Sequence, residues 1–190
     1  MRRKFFLTLS ALALVPLAGC GQSADKAATA APEQSAAATL TAAIGDAAGM
    51  STLAAALKGT GLNTVFDGSA PYTVLAPDDD AFGALGETAT MLTAPENGAA
   101  MAQVLKAHVL PGYTTVADID AALTRAKGKP VRIATMAGGE VSFARSGGTL
   151  TVTAPDGATA KVSGKEVTAS NGVAIPVDAV LKKIPASSGG

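Results

Sequence analysis

The sequence contains few of the residues on which metal binding and nucleophilic catalysis depend. Its 190 residues include one cysteine, one histidine and no tryptophan, and aromatic side chains make up 4% of the chain. A single cysteine excludes any disulfide within the chain. A structural zinc site needs several cysteine or histidine ligands, and nucleophilic catalysis needs a base beside an activated hydroxyl or thiol. We therefore predict no enzyme, no metal site and no cofactor, although any two carboxylates can still converge in space.

Net charge and aromatic content also argue against nucleic acid as a partner. Basic and acidic side chains number 15 each, and three of the basic ones, Arg2, Arg3 and Lys4, lie at the N-terminus. Without residues 1–19 the chain carries 12 basic against 15 acidic side chains, a formal net charge of −3. A nucleic-acid-binding domain would instead show a basic surface and aromatic stacking platforms.

The N-terminal residues have the layout of a secretory signal. Basic residues precede an apolar run, Phe5–Leu17, which is too short to span a bilayer and is interrupted by Pro16. The tetrapeptide LAGC, ending at Cys20, resembles the lipobox of bacterial lipoproteins. That resemblance implies lipidation of Cys20 and attachment to a membrane by acyl chains. The competing interpretation is an ordinary cleaved signal with an unrelated cysteine.

We therefore divide the chain into four parts: a lipoprotein signal peptide at 1–19, a flexible Ala- and Ser-rich tether at 20–38, one domain at 39–185 and a disordered tail at 186–190. An Ala-rich helix is the alternative for the tether. The expected location is the cell envelope, on the periplasmic or extracellular side. Gly21 replaces the aspartate that signals inner-membrane retention in Gram-negative lipoproteins, which favours the outer membrane in such a host.

Residues 71–82 change structural period and are the landmark of the domain. Tyr72–Leu75 is predicted as a buried strand that Pro77 stops, because proline cannot donate to a ladder. Three aspartates then indicate a helix start, with Asp78 as the N-cap and the next two in the first turn. Phe82 is expected to point back to the core. A weak cation site is the alternative for the aspartates, although they lack the alternate spacing of calcium loops.

Helical periodicity dominates the first half of the domain. Ser51 is predicted to cap the first of the helices before Phe66. A short helix and loop are predicted over Leu85–Thr93, an amphipathic helix over Ala99–Val109 and a further helical stretch over Asp118–Ala126. The residues predicted to face inward are Leu53, Leu57, Leu62, Val65, Phe66, Met101, Val104, Leu105, His108, Ile119 and Leu123.

From Pro130 onward apolar and polar residues alternate, and glycine-containing turns recur about every ten residues. Helices first and an antiparallel meander second predict the α+β class. Asn171 and Gly172 are interpreted as a turn that tolerates positive φ, with the Asn171 side chain bonded to neighbouring backbone. Pro176 lies inside an apolar run and predicts that this strand runs along an edge or bends.

Three segments together resemble one family. Residues 73–82, TVLAPDDDAF, resemble the first conserved block of fasciclin-type (FAS1) domains, and residues 171–181, NGVAIPVDAVL, resemble the second. Residues 105–112, LKAHVLPG, resemble the Tyr-His segment between them, with Ala107 at the tyrosine position and Ile175 at the histidine position of the second block. The family-motif positions here are Thr73, Pro77, Asp78, Phe82, His108, Asn171, Gly172 and Asp178.

The resemblance implies a wedge of about seven β-strands flanked by several α-helices, used in adhesion and surface contacts and without known catalytic machinery. In animal members an Asp-Ile pair just before the second block is implicated in integrin binding, and Glu166 and Val167 stand at the matching positions. From its place on an apolar helix face, His108 is interpreted as a core histidine with a hydrogen-bond partner rather than a ligand or a switch. Asp178 is expected to cap or to pair.

These observations lead to one function hypothesis and two alternatives. The hypothesis is an extracytoplasmic, membrane-anchored FAS1 module that binds a cell-surface protein or glycan in adhesion or matrix contacts. The first alternative is a periplasmic carrier of a small apolar ligand, held by side chains such as Phe66, Met101 and Phe143. The second is a structural component of the cell envelope.

Overall fold

The computed structural model describes residues 38–183. Cys20, the signal peptide at 1–19, the tether up to residue 37 and the tail at 186–190 lie outside the described residues. Between residues 38 and 183 the chain forms seven α-helices and eight β-strands in two four-stranded sheets. No helix in this part of the chain is both long and apolar enough to cross a membrane.

The helices are concentrated before residue 126 and most of the strands come after it. The helices are α1 Leu40–Asp46, α2 Ser51–Gly59, α3 Asn63–Phe66, α4 Asp79–Gly83, α5 Glu87–Thr93, α6 Gly98–Ala107 and α7 Val116–Arg125, with a 3-10 turn at Pro95–Asn97. The strands are β1 Tyr72–Pro77, β2 Val109–Pro111, β3 Val131–Ala134, β4 Glu140–Ser146, β5 Thr149–Thr153, β6 Thr159–Lys161, β7 Val167–Ala169 and β8 Gly172–Val177. This order confirms the predicted α+β class, with eight strands in the described residues where about seven were expected.

The two sheets differ in topology. The sheet β3-β4-β5-β6 is the antiparallel meander that alternation predicted. The other sheet has the order β2-β1-β8-β7, and in it β8 pairs antiparallel with β7 but parallel with β1. The prediction of a continuous antiparallel meander was therefore wrong after β6: β7 and β8 belong to the other sheet, and β8 crosses back to the first strand.

The sheets are joined to each other at both sides. The Met136 N–H donates to the Val109 carbonyl (2.9 Å), which links the end of β3 to β2. On the other side, Val162 forms an isolated antiparallel bridge to Val177 at the end of β8. These links give partners to backbone groups at sheet margins, where an open row of donors and acceptors would invite pairing with another chain.

The first sheet has a core on each of its faces. Val74 and Ala76 on β1 belong to the core shared with helices α1, α2, α3 and α6, whereas Leu75 belongs to the core between the two sheets. On β8, Ala174 faces the helices and Ile175 the second sheet. Successive side chains of a strand point to opposite faces, so a strand buried on both faces is apolar at every position.

Several element ends differ from prediction. Helix α6 stops at Ala107, and Val109–Pro111 forms strand β2 instead of the last helical turn. Val65 lies in the single turn of α3 and is 38% exposed, so it does not face inward. Ser51 is the first residue of α2 rather than its N-cap, and the preceding residue, Met50, offers no side-chain cap.

The position of Pro176 also corrects a prediction. Strand β8 is central, not an edge strand. The ladder between β8 and β7 ends at the pair Val167 and Ala174. The absence of an N–H on Pro176 therefore leaves no β7 carbonyl without its ladder donor. The Pro176 carbonyl still accepts a hydrogen bond from the Ser163 N–H (3.0 Å). A proline is tolerated here because it lies just beyond the paired length of the neighbouring strand.

Candidate functional site

The two motif segments lie side by side in the first sheet. The parallel register pairs Tyr72 with Gly172 and continues without a break to Pro77 with Val177. The segment that ends at Pro77 and the segment that begins at Asn171 therefore pair along their length within one folded unit, with Pro77 and Asn171 at opposite ends of the pairing. Whether this meeting point is a binding site or a structural joint depends on which partners its polar atoms already have.

Asn171 is fully engaged by distant backbone. Its side-chain amide donates to the carbonyl oxygens of Phe66 (2.6 Å) and Gly68 (2.7 Å), and its Oδ1 accepts from the Leu40 N–H (2.8 Å). The predicted bond to neighbouring backbone is thus replaced by bonds to residues more than a hundred positions earlier. One side chain joins the start of β8 to the end of α3 and the start of α1. Phe66 packs edge-on against Tyr72, with ring centroids 5.4 Å apart.

Gly172 is required for a different reason than predicted. The two turn residues between β7 and β8 are Ser170 and Asn171, and Gly172 is not among the residues with positive φ. A β-carbon on Gly172 would instead collide with the carbonyl oxygen of Tyr72 and lie 2.7 Å from Cδ2 of Leu40. The glycine allows close approach of the backbones rather than a special turn conformation.

Thr73 joins β1 to the loop before α7. Its side chain is fully buried, and its hydroxyl accepts from the Thr114 N–H (2.8 Å) and donates to the Gly112 carbonyl (2.9 Å). The hydroxyl both donates and accepts within the domain, and its burial keeps it from contact with a ligand in solvent.

The three aspartates after Pro77 have separate roles. Asp78 is the N-cap of α4, as predicted: one carboxylate oxygen accepts from the Ala81 N–H (2.8 Å), and the other accepts from the Ser163 hydroxyl (3.1 Å). Asp80 is exposed in the first turn. Phe82 follows, buried in the helical core as expected.

Asp79 caps a helix other than its own. Its carboxylate accepts from the Thr52 N–H (2.8 Å) and the Ser51 N–H (3.3 Å) at the start of α2, and from the Ser51 hydroxyl (2.9 Å). These bonds, the one from the Thr52 N–H foremost, hold the pKa of Asp79 below its ordinary value. The cap that was assigned to Ser51 is therefore supplied from a residue 28 positions later.

His108 is a buried structural residue with both ring nitrogens occupied. Nδ1 lies 2.8 Å from the Val104 carbonyl, which can only accept, and Nε2 accepts from the Leu181 N–H (2.8 Å). The ring is therefore neutral, with its proton on Nδ1. Burial lowers the pKa of His108 to about 4. The interpretation as a core histidine with a hydrogen-bond partner agrees with this geometry.

Asp178 pairs with backbone just after β8. Its Oδ1 accepts from the Lys161 N–H (2.6 Å), and its own N–H donates to the Lys161 carbonyl (3.0 Å). The side chain is exposed, so its partner is the end of β6 rather than a group in the core.

Taken together, the motif residues hold segments of the domain to one another. Between residues 38 and 183 no buried side-chain nitrogen or oxygen lacks a hydrogen-bond partner. In the same range no group of three or more histidine, cysteine, aspartate or glutamate side chains is placed to hold a metal ion. The remaining candidates for contact with other molecules lie on the surface.

One surface depression, the helical groove, lies between α2, α5 and α6. It has a volume of about 270 Å³ and a mainly apolar lining. Its lining residues are Thr52, Ala55, Ala56, Gly59, Thr60, Leu92, Thr93, Ala94, Pro95, Gly98 and Met101. Of the three side chains expected to hold an apolar ligand, only Met101 lines it; Phe66 and Phe143 are fully buried in the two cores.

A second depression, the acidic groove, lies where the three aspartates approach the loop before β7. Its volume is about 520 Å³, and its charged lining residues are Asp78, Asp79, Asp80 and Lys165. The carboxylates of Asp78 and Asp79 already accept hydrogen bonds from backbone N–H groups at helix N-termini, so fewer of their lone pairs are open to a ligand.

The family model of the fasciclin domain matches residues 48–183 of this chain. The chain belongs to the fasciclin (FAS1) domain family. Its FAS1 domain is 34% identical over 132 residues to protein sll1483 of Synechocystis sp., a match that covers 69% of this chain and 66% of that protein. The chain thus spans just under two thirds of the length of that relative.

Among solved structures, the FAS1 domain resembles the FAS1 domain pair of the insect cell adhesion molecule Fasciclin I. The TM-score is 0.66 at 16% sequence identity, and the match covers 76% of this chain and 51% of that one. At this identity the likeness establishes the fold. Neither the family model nor this structural match indicates a catalytic family.

Asp79 and Glu166 have hydrogen-bond partners in the FAS1 domain that the sequence does not indicate. Glu166 accepts from the Val116 N–H (2.7 Å) at the start of α7, beside the capping box formed by Thr115 and Asp118. Both carboxylates cap helices that are remote in sequence. No local signal marks such a role, because a capping motif is recognised only when the cap precedes its own helix.

Proposed function

We propose that this chain is an extracytoplasmic, membrane-anchored FAS1 module that binds a protein or glycan of the cell surface. The observation that carries the proposal is the engagement of the motif side chains: Asn171, Thr73 and His108 spend their polar atoms on internal hydrogen bonds. Motifs used in this way support a scaffold whose outer surface makes the functional contacts. FAS1 domains are commonly involved in adhesion or binding, which agrees with that division.

The binding part of the proposal is tested with residues 39–190, labelled and applied to a glycan array and to solubilised envelope proteins of the host. Circular dichroism and a cooperative unfolding transition establish beforehand that this fragment is folded. Saturable binding that competes with unlabelled fragment is the expected result. A folded fragment that binds nothing in both assays contradicts the proposal.

The anchoring part rests on the tetrapeptide LAGC at Cys20. Because thiol acylation requires the cysteine, Cys20→Ser is the matched variant. In the host, the full chain is expected to incorporate a radiolabelled fatty acid and to sediment with membranes, and the variant to do neither. Labelling of both proteins, or of neither, contradicts lipidation at Cys20.

The carrier alternative keeps one specific observation, the helical groove with its apolar lining of about 270 Å³. Apolar depressions of this kind are the usual sites of small ligands, although most are larger. Native mass spectrometry of the chain purified from its host distinguishes the two functions. A carrier retains an added mass that Ala55→Trp, which fills the groove, abolishes; a surface-binding module shows the mass of the protein alone.

A further inference from the structure

The segment after β8, residues 178–183, is here called the C-terminal strap. It runs past the ends of α6 and β5, and its apolar residues Val180 and Leu181 are buried at 7% and 0% exposure. Past Asp178, the hydrogen bonds described for the strap backbone come from the Leu181 and Lys183 N–H groups. Both end on titratable side chains rather than on backbone carbonyls.

The first of these acceptors is the His108 ring. Its Nε2 receives the Leu181 N–H while Nδ1 donates to Val104 in the last turn of α6. A protonated imidazole carries a hydrogen on both nitrogens and has no acceptor left. Protonation would therefore place two N–H donors face to face at the strap and leave the Leu181 N–H buried without a partner, which is costly.

The second acceptor is Asp156 in the turn between β5 and β6. Its Oδ2 receives the Lys183 N–H (2.9 Å) and lies 3.7 Å from the Lys182 ammonium, while Oδ1 receives the Ala158 N–H (3.0 Å). Burial raises the pKa of Asp156, but the bonds from Ala158 and Lys183 and the charges of the lysines outweigh burial and hold it below its ordinary value. This half of the attachment persists to lower pH than the half at His108.

The charged surroundings of the ring are few. Asp156 is the charged group that favours the protonated ring. Lys106 lies two residues before it on α6, and Lys182 and Lys183 lie on the strap itself. The turn between β3 and β4, residues 135–139, contains no titratable side chain. A cavity of about 150 Å³ lies beside the strap. It is lined by residues of α6, of the turn between β3 and β4, of the turn between β5 and β6 and of the strap, and it has room for water.

We infer that the C-terminal strap is an acid-sensitive latch: protonation of His108 breaks its bond to the Leu181 N–H and releases residues 179–183, while Asp178 stays bound to Lys161 and β1 and β8 remain paired. Past Asp178 the strap backbone is held by these two side-chain acceptors and the strap buries Val180 and Leu181, whereas β8 is held by a full parallel ladder to β1. Release uncovers the buried Leu181 side chain and so alters the apolar surface that the domain presents under acidic conditions.

The expected size of the effect follows from proton linkage. The pKa of His108 is about 4 in the closed state, and an open strap returns the ring to water, where an ordinary value of 6.5 applies. Between pH 6.5 and pH 4 the open state therefore binds more protons than the closed state, so opening becomes more favourable as pH falls. The opening equilibrium constant should rise roughly 20-fold from pH 7 to pH 5 and roughly 100-fold to pH 4.

Hydrogen exchange on the full chain, read by mass spectrometry between pH 7 and pH 4 and corrected for the intrinsic pH dependence of exchange, measures this opening. Peptides that cover the strap are expected to lose protection by about these factors while peptides from β1 and β8 stay protected. Strap protection that changes less than about threefold, or loss of strap and sheet protection in step, overturns the latch.

Two variants separate the latch from general acid sensitivity. His108→Gln places an amide that cannot titrate at the ring position, so strap opening should lose its dependence on pH above 4. Asp156→Asn leaves one side-chain oxygen for the Ala158 and Lys183 N–H groups and removes the ion pair with Lys182, so the strap is held less tightly and should open at higher pH. Asp80→Asn, an exposed control, should leave the pH of opening unchanged. If His108→Gln does not fold, the Asp156→Asn result decides: a strap that opens at the same pH as in the wild-type chain, or at a lower pH, contradicts the inference.

Discussion

Gly172 on β8 packs its backbone directly against the carbonyl oxygen of Tyr72, its partner in the first pair of the parallel register between β8 and β1. Leu40 of α1 closes the same space from the helical side, with Cδ2 2.7 Å from where a β-carbon would stand. Strands β1 and β8 and helix α1 therefore pack closely at Gly172, because this residue has no side chain.

Gly172→Ala is predicted to destabilise the domain by about 1–3 kcal/mol, because the added methyl group forces Leu40 or the Tyr72 backbone to move. Denaturant unfolding of the full chain measures the change. The matched control is Gly45→Ala in α1, where a β-carbon meets nothing within 4 Å. There alanine should be neutral or stabilising by up to about 1 kcal/mol. Equal effects of the two substitutions would show that close approach is not the reason for Gly172.

Asn171→Ala removes three hydrogen bonds that join β8 to α1 and α3. A loss of about 2–4 kcal/mol is expected, since each bond contributes about 1 kcal/mol and two carbonyls and one N–H lose their partner. Asn171→Asp should be no better, because its carboxylate faces the carbonyls of Phe66 and Gly68. Ser170→Ala, which removes an exposed hydroxyl bonded to the Ala38 carbonyl, should cost less than about 0.5 kcal/mol. A small effect at Asn171 would contradict its role as a joint.

Asp79→Ala should cost about 1 kcal/mol through loss of the cap on α2, while Asp80→Asn, one residue on and exposed, should be nearly neutral. The pKa of Asp79 is lower in the folded than in the unfolded chain. Its contribution is therefore present above the unfolded value and is lost as pH falls through the folded one. Comparing unfolding midpoints of wild type and Asp79→Ala from pH 6 to pH 2 should show the difference shrinking. A difference that does not depend on pH would argue against the carboxylate as the cap.

Glu166→Ala should loosen the start of α7, which receives the Glu166 carboxylate at the Val116 N–H. Amide exchange in the first turn of α7 is expected to rise several-fold, whereas Glu166→Gln, which keeps an acceptor oxygen, should change it less. Lys165→Ala, the neighbouring residue, is the control and should leave α7 unchanged. If Lys165→Ala speeds amide exchange in α7 as much as Glu166→Ala does, the effect comes from the loop rather than from the Glu166 cap.

Local signals in the sequence predicted the local parts of this fold. Alternation found the β3 to β6 meander, the spacing of Ile119 and Leu123 found the buried face of α7, and Asp78 was recognisable as a cap because it directly precedes its helix. Each of these depends on residues within a few positions of one another.

The features that sequence reasoning missed all depend on a partner distant in the chain. An apolar run of residues does not indicate which strand it will pair with, so the sequence does not predict the parallel pairing of β8 with β1. For the same reason the sequence predicts an edge or a bend at Pro176, whereas β8 is a central strand, and a turn role for Gly172, whereas its constraint comes from Tyr72 and Leu40. Asp79 as a cap for α2 had no signal, since its target lies 28 residues earlier.

The motif residues hold the domain together, and we propose that its outer surface makes the contacts with the cell envelope. The most direct measurement is saturable binding of the purified domain to isolated envelopes of its host, made for wild type and for Asn171→Ala at a temperature where both are folded. Equal affinity and capacity are expected for the two proteins, with Asn171→Ala differing only in stability. Binding that is absent in wild type, or that is lost in folded Asn171→Ala, would contradict it.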